Sequence, residues 1–152
     1  MPAIASSYMY AFFALISVSS ILISSYVAYA TTLRTIPEIK QMRNLLEFVA
    51  AKGCELVALT STTNATSKAT LQLPSSIGSK QYWIRLESES TNSWVEGALG
   101  EIHASRVADH IFLPKAISAS GNYSSNYGPG ILECYIDASG INLRLAIWRD
   151  TV

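Results

Sequence analysis

The chain has 152 residues and no formal net charge, with 14% charged against 49% hydrophobic residues. The absence of a Lys and Arg excess argues against a nucleic-acid binder, which has to neutralise phosphates, and the abundance of apolar residues argues against a disordered chain. None of the charges precedes Arg34, which argues against a plain soluble domain, and the length allows one modest core rather than two ordinary domains.

The uncharged start contains a long apolar stretch, residues 8–30, which reads YMYAFFALISVSSILISSYVAYA. As a helix these residues would extend for about 34 Å, at about 1.5 Å per residue, which matches a bilayer core of about 30 Å. Aromatic residues lie at both ends, as in the interfacial belts of membrane helices. The stretch predicts a helix that resides in the cytoplasmic membrane.

Small residues recur along this stretch at three- or four-residue spacing, namely Ala14, Ser17, Ser20, Ser24 and Ala28. On a helix they form a small-residue stripe, and such stripes allow helix backbones to approach closely. We therefore predict helix–helix packing through these five residues. The alternative is that the serine hydroxyls simply bond to backbone carbonyls one turn earlier in their own helix.

The surroundings of the apolar stretch leave processing and orientation open. Without a basic segment before it or a small-residue cleavage site after it, an ordinary cleaved secretory signal is disfavoured. Either Met1 begins an unprocessed anchor, or a leader was removed before it. Arg34, Lys40 and Arg43 follow the stretch and favour a cytoplasmic placement of what comes next, which conflicts with an extracellular location.

The residues that follow, up to 53, have the pattern of an amphipathic helix, with apolar residues at helical spacing: Ile39, Met42, Leu45, Leu46 and Val49. Pro37 separates this helix from the apolar one, which predicts either one helix with a kink or two helices that meet there. Thr35 and Glu38 have the spacing of a capping box, and Gly53 is a natural helix stop. The predicted domains are accordingly 1–53, helix and stem, and 54–152.

From residue 54 the apolar period changes to two, which predicts strands at 55–60, 69–73, 81–87, 93–99, 110–114, 131–137 and 141–148, with an uncertain one near 101–107. Residues 137–140 read as a hairpin turn. Residues 118–130 read as a long loop that exposes Tyr123 and Tyr127. Short strands with such punctuation favour an antiparallel β-sandwich, and the fold class is α+β.

The two cysteines, Cys54 and Cys134, allow a single bridge. Cys134 alternates with Leu132 and Ile136 and should therefore point into the core, while Cys54 lies where stem and sheet meet. In an extracellular protein we predict a disulfide between them, which would close a long loop and contribute about 4 kcal/mol. The alternative is two buried free thiols that behave as small apolar groups.

Two tripeptides match the acceptor pattern for N-linked glycans: Asn64-Ala65-Thr66 and Asn122-Tyr123-Ser124. Both fall in segments that the pattern assigns to turns or loops. The motif arises often by chance in a chain rich in Ser and Thr. We predict that Asn64 and Asn122 are glycosylation sites if the domain is extracellular.

Catalytic and metal-binding signatures are not found in the sequence. His103 and His110 have Glu101 and Asp109 nearby, but no further ligands follow at a metal-site spacing, so solvated surface groups are favoured. No nucleophile elbow, zinc-protease motif, phosphate loop or dinucleotide turn is present. Trp83, Trp94 and Trp148 are interpreted as core or interface anchors. We predict no enzyme, no cofactor and no metal.

The order of an apolar N-terminal helix, an amphipathic continuation and a small β domain resembles the type IV pilins, most closely archaeal pilins and archaellum-related proteins. Two segments carry the similarity, IKQMRNLLEFVAAKGCELVALT and LPSSIGSKQYWIRLE. The resemblance implies an immunoglobulin-like sandwich on a long helix. It also implies a leader, which is not visible here, and the acidic residue near the start of bacterial pilin helices is missing.

What the resemblance implies about function is mechanical. The helices wait in the membrane and then bundle into the core of an extracellular homopolymer, while the β domains form its outer surface for adhesion or motility. The alternative is a membrane-anchored extracellular binding domain that does not polymerise, such as a minor pilin-like or archaellum stator-like protein. A membrane-tethered enzyme is a third hypothesis, which the sparse charges disfavour.

Overall fold

A computed structural model of the chain describes residues 2–90, 92–100 and 109–147, with side chains from Tyr8 onward. These residues form one helix, seven strands and a short 3-10 turn, Ser125–Tyr127. The helix is α1, Pro2–Thr63, and the strands are β1 Ser67–Leu71, β2 Tyr82–Glu89, β3 Asn92–Leu99, β4 Asp109–Phe112, β5 Ile117–Ser124, β6 Gly130–Asp137 and β7 Gly140–Ile147. The α+β class is thereby confirmed.

Helix α1 continues through Pro37, so a single helix is found where the sequence allowed one or two. The predicted capping box is wrong because no helix begins there. The Thr35 hydroxyl instead donates backward to the carbonyl of Thr31 at 3.2 Å. Glu38 instead accepts from Lys80 Nζ at 2.7 Å.

The predicted helix stop at Gly53 and the predicted strand 55–60 are also wrong, since α1 ends at Thr63. Asn64 follows it in the left-handed conformation, φ 52°, and its N–H donates to the carbonyl of Thr60 at 2.9 Å. Apart from Ala50, the residues that α1 buries recur at alternating steps of four and three, which is a helical period: Met42, Leu46, Val49, Gly53, Leu56 and Thr60. Gly53 belongs to this face because a Cβ there would lie 3.0 Å from Leu143 Cδ2, so glycine lets the helix pack closely on β7.

The seven strands form one sheet in the order β1-β6-β7-β5-β2-β3-β4. All neighbours are antiparallel except β5 and β7, which are parallel. The purely antiparallel pattern was therefore a wrong expectation, and a two-sheet sandwich is not confirmed. The predicted hairpin turn is confirmed, because β6 and β7 pair from Asp137 and Gly140 outward.

Six of the predicted strands are confirmed within the described residues, whereas the predicted loop 118–130 is wrong at its start, which is β5. Tyr123 on β5 is only 1% exposed, contrary to the expectation, and Tyr127 is exposed. Gly121 makes the β5–β7 pairing possible, since its φ is 118° and a Cβ there would lie 2.0 Å from the carbonyl oxygen of Leu145. The uncertain strand 101–107 and Trp148 lie outside the described residues.

The chain divides into two compact units, Met1–Pro37 and Glu38–Val152, the second of which is called the head unit below. The predicted boundary after residue 53 therefore falls inside α1. The head unit has its own core, in which the buried face of α1 packs with the inner side chains of the sheet. Among them are the largest fully buried side chains: Tyr82, Tyr123, Leu46, Leu71, Ile84, Leu86, Leu132, Leu143 and Leu145.

Candidate functional site

The first candidate site is the surface of α1 between Tyr8 and Leu33. Every large apolar side chain in this segment is exposed, with values from 47% to 77%. The segment carries no charge on any side of the helix. By length and composition α1 is able to cross a membrane, a test that the core helix of a soluble protein or a signal sequence also passes. An apolar surface of this extent marks a contact with lipid or protein.

The small-residue stripe lies on this surface, and Ala14, Ser17, Ser20, Ser24 and Ala28 are all exposed. The serine hydroxyls donate to carbonyls of their own helix: Ser17 to Phe13 at 2.8 Å, Ser20 to Ile16 at 2.9 Å and Ser24 to Ser20 at 2.8 Å. Ser19, which is outside the stripe, bonds to Leu15 in the same way. Because these donors are satisfied internally, the stripe presents small side chains that an apolar environment accepts.

The predicted disulfide is not formed in the structure, where Cys54 and Cys134 are both free. Cys54 belongs to α1 rather than to a junction before a strand, because the helix continues to Thr63. Cys134 points into the core as expected and is completely buried, together with Leu132, whereas Ile136 is 40% exposed. The arrangement is that of the alternative, two thiols packed within or against the core.

The two acceptor motifs have different surroundings. Asn64 is exposed just after the end of α1, in a turn as expected. Asn122 is also exposed, but it lies in strand β5, where it is paired with Arg85 of β2. Both side chains are therefore on the surface, one at a helix end and the other on the outer face of the sheet.

Metal ligation has no support in the part of the chain that the structure describes, where no three His, Cys, Asp or Glu side chains form a group. His110 is exposed and its ring contacts that of Phe112, with 5.2 Å between the centroids. Asp109 accepts a bond from the N–H of His110 at 3.1 Å. Glu101 and His103 lie outside the described residues.

The outer face of β2 and β3 carries an ionic cluster that the sequence reading missed. Arg85 donates from Nε and Nη2 to Oε1 of Glu96, at 2.8 and 2.6 Å, and its Nη1 lies 3.1 Å from Oε1 of Glu87. The other oxygen of Glu96 accepts from Trp94 Nε1 at 3.1 Å. The alternation of aromatic and charged residues at 83, 85 and 87 and again at 94 and 96 was the available signal.

Two tyrosines in the core have perturbed titration. Burial, with the neighbouring Tyr123 adding to it, raises the pKa of Tyr82 far above its usual range. Burial also raises the pKa of Tyr123. The hydroxyls donate to backbone carbonyls, Tyr82 to Pro74 at 2.5 Å and Tyr123 to Gly128 at 2.6 Å. Both groups stay protonated and fix loops, which is a structural role.

Asp137 has the opposite shift. The hydroxyl and the backbone N–H of Ser139 donate to Asp137 Oδ1, and these bonds lower the pKa of the carboxyl. The group is part of the β6–β7 turn rather than of a cleft.

No protein-family model, no curated protein and no solved structure matches the chain. A function therefore has to be inferred from the surfaces described above.

Proposed function

We propose that the chain is a structural subunit of an extracellular archaeal type IV pilus-like filament. The apolar helices of many copies pack together in the filament core, and the head units form the outer surface that serves adhesion or motility. One observation carries the proposal: α1 exposes an uncharged apolar surface on all sides between Tyr8 and Leu33.

Such a surface requires a partner that surrounds the helix. Apolar side chains in contact with water are unfavourable in proportion to their exposed area, about 25 cal/mol per Å². A helix that is hydrophobic all round is buried either in lipid or among other helices. Lipid is the proposed partner before assembly, and copies of the same helix replace it in the filament.

The small-residue stripe supports packing between copies beyond simple anchoring. Without a hydrophobic driving force inside a membrane, helices associate through close packing, and small side chains allow the backbones to approach. The hydroxyls of Ser17, Ser20 and Ser24 already donate to their own helix. The transfer from lipid to a helix bundle therefore breaks no hydrogen bond of these groups.

The same proposal includes a pilin-like fold for the head unit. Its support is that the part of α1 from Met42 to Thr60 forms one wall of the head core, so that the helix and the β domain fold together. One mixed sheet closes this core where the resemblance implied an immunoglobulin-like sandwich. All Asp, Glu and Lys side chains and every Arg except Arg34 belong to this unit, which suits an outer surface.

The test is electron microscopy of material sheared from the producing cells, with mass spectrometry of the same fraction. We expect thin filaments composed mainly of this chain, and their N-terminal peptide will show where the mature chain begins. Cells that lack the gene are the control, and they should shed no such filament.

The opposite outcome has a definite meaning. If the chain stays in the membrane pellet and no filament contains it, the filament proposal fails. The chain is then a membrane-anchored extracellular binding domain, for which the half-buried Trp94 and the exposed Phe112 provide a contact surface, their rings 6.5 Å apart at the centroids.

A further inference from the structure

A groove lies on the outer face of the sheet between β2 and β5, and it is called the β2–β5 groove below. Its volume is about 360 Å³. Six residues line it: Trp83, Arg85, Leu86, Glu87, Gly121 and Asn122. This volume falls within the range of roughly 300–1,000 Å³ for sites that hold small molecules.

Trp83 gives the groove an aromatic wall. The side chain is 5% exposed, and its Nε1 has no hydrogen-bond acceptor among the described residues. Because that nitrogen is itself buried, the groove meets the ring of Trp83 rather than its N–H. Arg85 Cζ lies 5.9 Å from the centre of the Trp83 ring, which places a cation beside the same wall.

Asn122 connects this groove to a possible occupant. In the β2–β5 register Trp83 pairs with Ser124 and Arg85 pairs with Asn122, so Asn122 is the diagonal neighbour of Trp83. Diagonal neighbours are about 7–8 Å apart, within reach of an aromatic side chain. Asn122 and Ser124 are also the first and third residues of the acceptor motif for N-linked glycans, and Asn122 is exposed.

We propose that Asn122 carries an N-linked glycan whose first sugar occupies the β2–β5 groove against Trp83. The donor is an oligosaccharide linked through phosphate to a membrane lipid. The bond from C1 of the first sugar to the phosphate oxygen breaks, a bond from C1 to Asn122 Nδ2 forms, the lipid phosphate leaves with the electron pair, and one amide proton goes to solvent. Since Asn122 lies within a strand, the transfer precedes the pairing of β5.

The chemistry of the groove suits a sugar ring. A pyranose presents C–H groups on one face, which pack against an indole. Arg85 and Glu87 add donors and acceptors for the sugar hydroxyls at the rim. The other acceptor residue, Asn64, differs in that it follows the end of α1 in a left-handed conformation and does not line this groove.

The inference rests on the proposed function for the extracellular location alone. A glycosylated chain that forms no filament would keep the inference and overturn the filament proposal. Filaments built from unmodified chain would do the reverse.

The first experiment is mass spectrometry of peptides from the full chain, purified from the producing cells. We expect the peptide with Asn122 to carry a glycan in the wild type and in Ser124→Thr, which keeps the motif, and to lose it in Ser124→Ala. Thr66→Ala is the matched control, since it removes the other motif and should leave Asn122 modified. An unmodified Asn122 in the wild type overturns the proposal.

The second experiment tests whether the first sugar lies in the β2–β5 groove, without changing Trp83. The indole N–H signals of the full chain in detergent are compared by NMR between the glycosylated wild type and Ser124→Ala. We expect the Trp83 signal to shift, whereas the Trp94 signal, whose N–H is bonded to Glu96, should stay in place. A Trp83 signal that is identical in the two proteins overturns the placement in the groove.

Discussion

Tyr82 and Tyr123 lie next to each other in the core of the head unit, with ring centroids 6.3 Å apart. Each hydroxyl donates to the carbonyl of a loop residue, Pro74 for Tyr82 and Gly128 for Tyr123. The rings supply apolar packing and the hydroxyls fix two loops. Both parts can be tested separately, because Phe keeps the ring and removes only the hydroxyl.

Tyr82→Phe is therefore expected to lower the free energy of unfolding by about 1 kcal/mol, the net value of one intramolecular hydrogen bond. Denaturant unfolding of the chain in detergent measures it. Tyr127→Phe is the matched control, since Tyr127 is exposed and should lose nothing measurable. Equal stability of wild type and Tyr82→Phe would contradict the assigned bond to Pro74.

The raised pKa values of Tyr82 and Tyr123 predict a loss of stability in alkali. Unfolded tyrosines release their protons near about pH 10, whereas these two keep theirs in the folded state. Above that pH the folded state holds more protons, so the free energy of unfolding falls as pH rises. Unfolding measured between about pH 9 and about pH 11 should show this slope, and the slope should be smaller in Tyr82→Phe.

The free thiols give a third test at the scale of the residue. Cys134 is completely buried and Cys54 is partly exposed, so a thiol reagent should modify Cys54 readily and Cys134 only when the head unit unfolds. Mass spectrometry of the alkylated chain measures both rates. A reducing agent should leave the melting temperature unchanged. A lower melting temperature after reduction would instead restore the bridge that the sequence suggested.

At the scale of the element, the sequence after Gly53 is compatible with both a helix and a strand, and the helical spacing is the one that sets the length of α1. Leu56 and Thr60 continue the steps of four and three that begin at Met42, but residues 55–60 also contain a short apolar run of the length of a buried strand. Gly53 favoured a helix end at this point, because glycine is common after helices. Its reason here is the contact with Leu143, which only the folded chain shows.

Strand β5 could not be predicted, because its residue types are unusual for a strand. Its sequence, ISASGNYS, places small residues where strands usually have large ones, and Gly121 lies in its centre. The side chains that it buries are Ile117, Ala119 and Tyr123, at the period of a strand. β7 was predicted correctly because it has large apolar residues, among them Leu143 and Leu145, at every second position. The β2–β5 groove depends on the missed strand, so it too was beyond the sequence.

Glycines make the helix and sheet contacts testable. A Cβ at Gly97 would lie 2.5 Å from the carbonyl oxygen of Trp83, a backbone atom that cannot move aside. Gly97→Ala should therefore lower the free energy of unfolding by about 1–3 kcal/mol. Gly53→Ala is the control: its Cβ would lie 3.0 Å from the tip of Leu143 and in ordinary contact with Leu113 and Leu132, all of them side chains, and better helix propensity, about 1 kcal/mol, offsets the tight contact. Denaturant unfolding compares the two, and equal losses would contradict these environments.

At the scale of the whole molecule, the two units differ in whether their apolar side chains are buried or exposed. The head unit buries large side chains from all its sheet strands except β4, and from α1, in a core of its own. The described part of the unit Met1–Pro37 is helical, and its large apolar side chains from Tyr8 to Leu33 are exposed. In the proposed function, lipid or further copies of the chain cover these exposed side chains.

A variant of the small-residue stripe tests whether copies of the helix pack together or whether the helix is only embedded in lipid. The triple variant of Ser17, Ser20 and Ser24 to Leu keeps the segment apolar, so membrane insertion should be unaffected, while the larger side chains hold neighbouring backbones apart. Assembly should be blocked, since each interface that loses about 1.4 kcal/mol is weakened tenfold and a filament repeats the loss at every subunit.

The matched control for that variant is Ser19→Leu. Successive helix residues are rotated by about 100°, which places Ser19 on the side of the helix away from the stripe. Electron microscopy counts the filaments in the sheared fraction, and fractionation shows the chain in the membrane. We expect the control to assemble and the triple variant to remain in the membrane pellet. Normal filaments from the triple variant would show that the stripe does not form the contact between copies, and the packing argument would then have to rest on another face of α1.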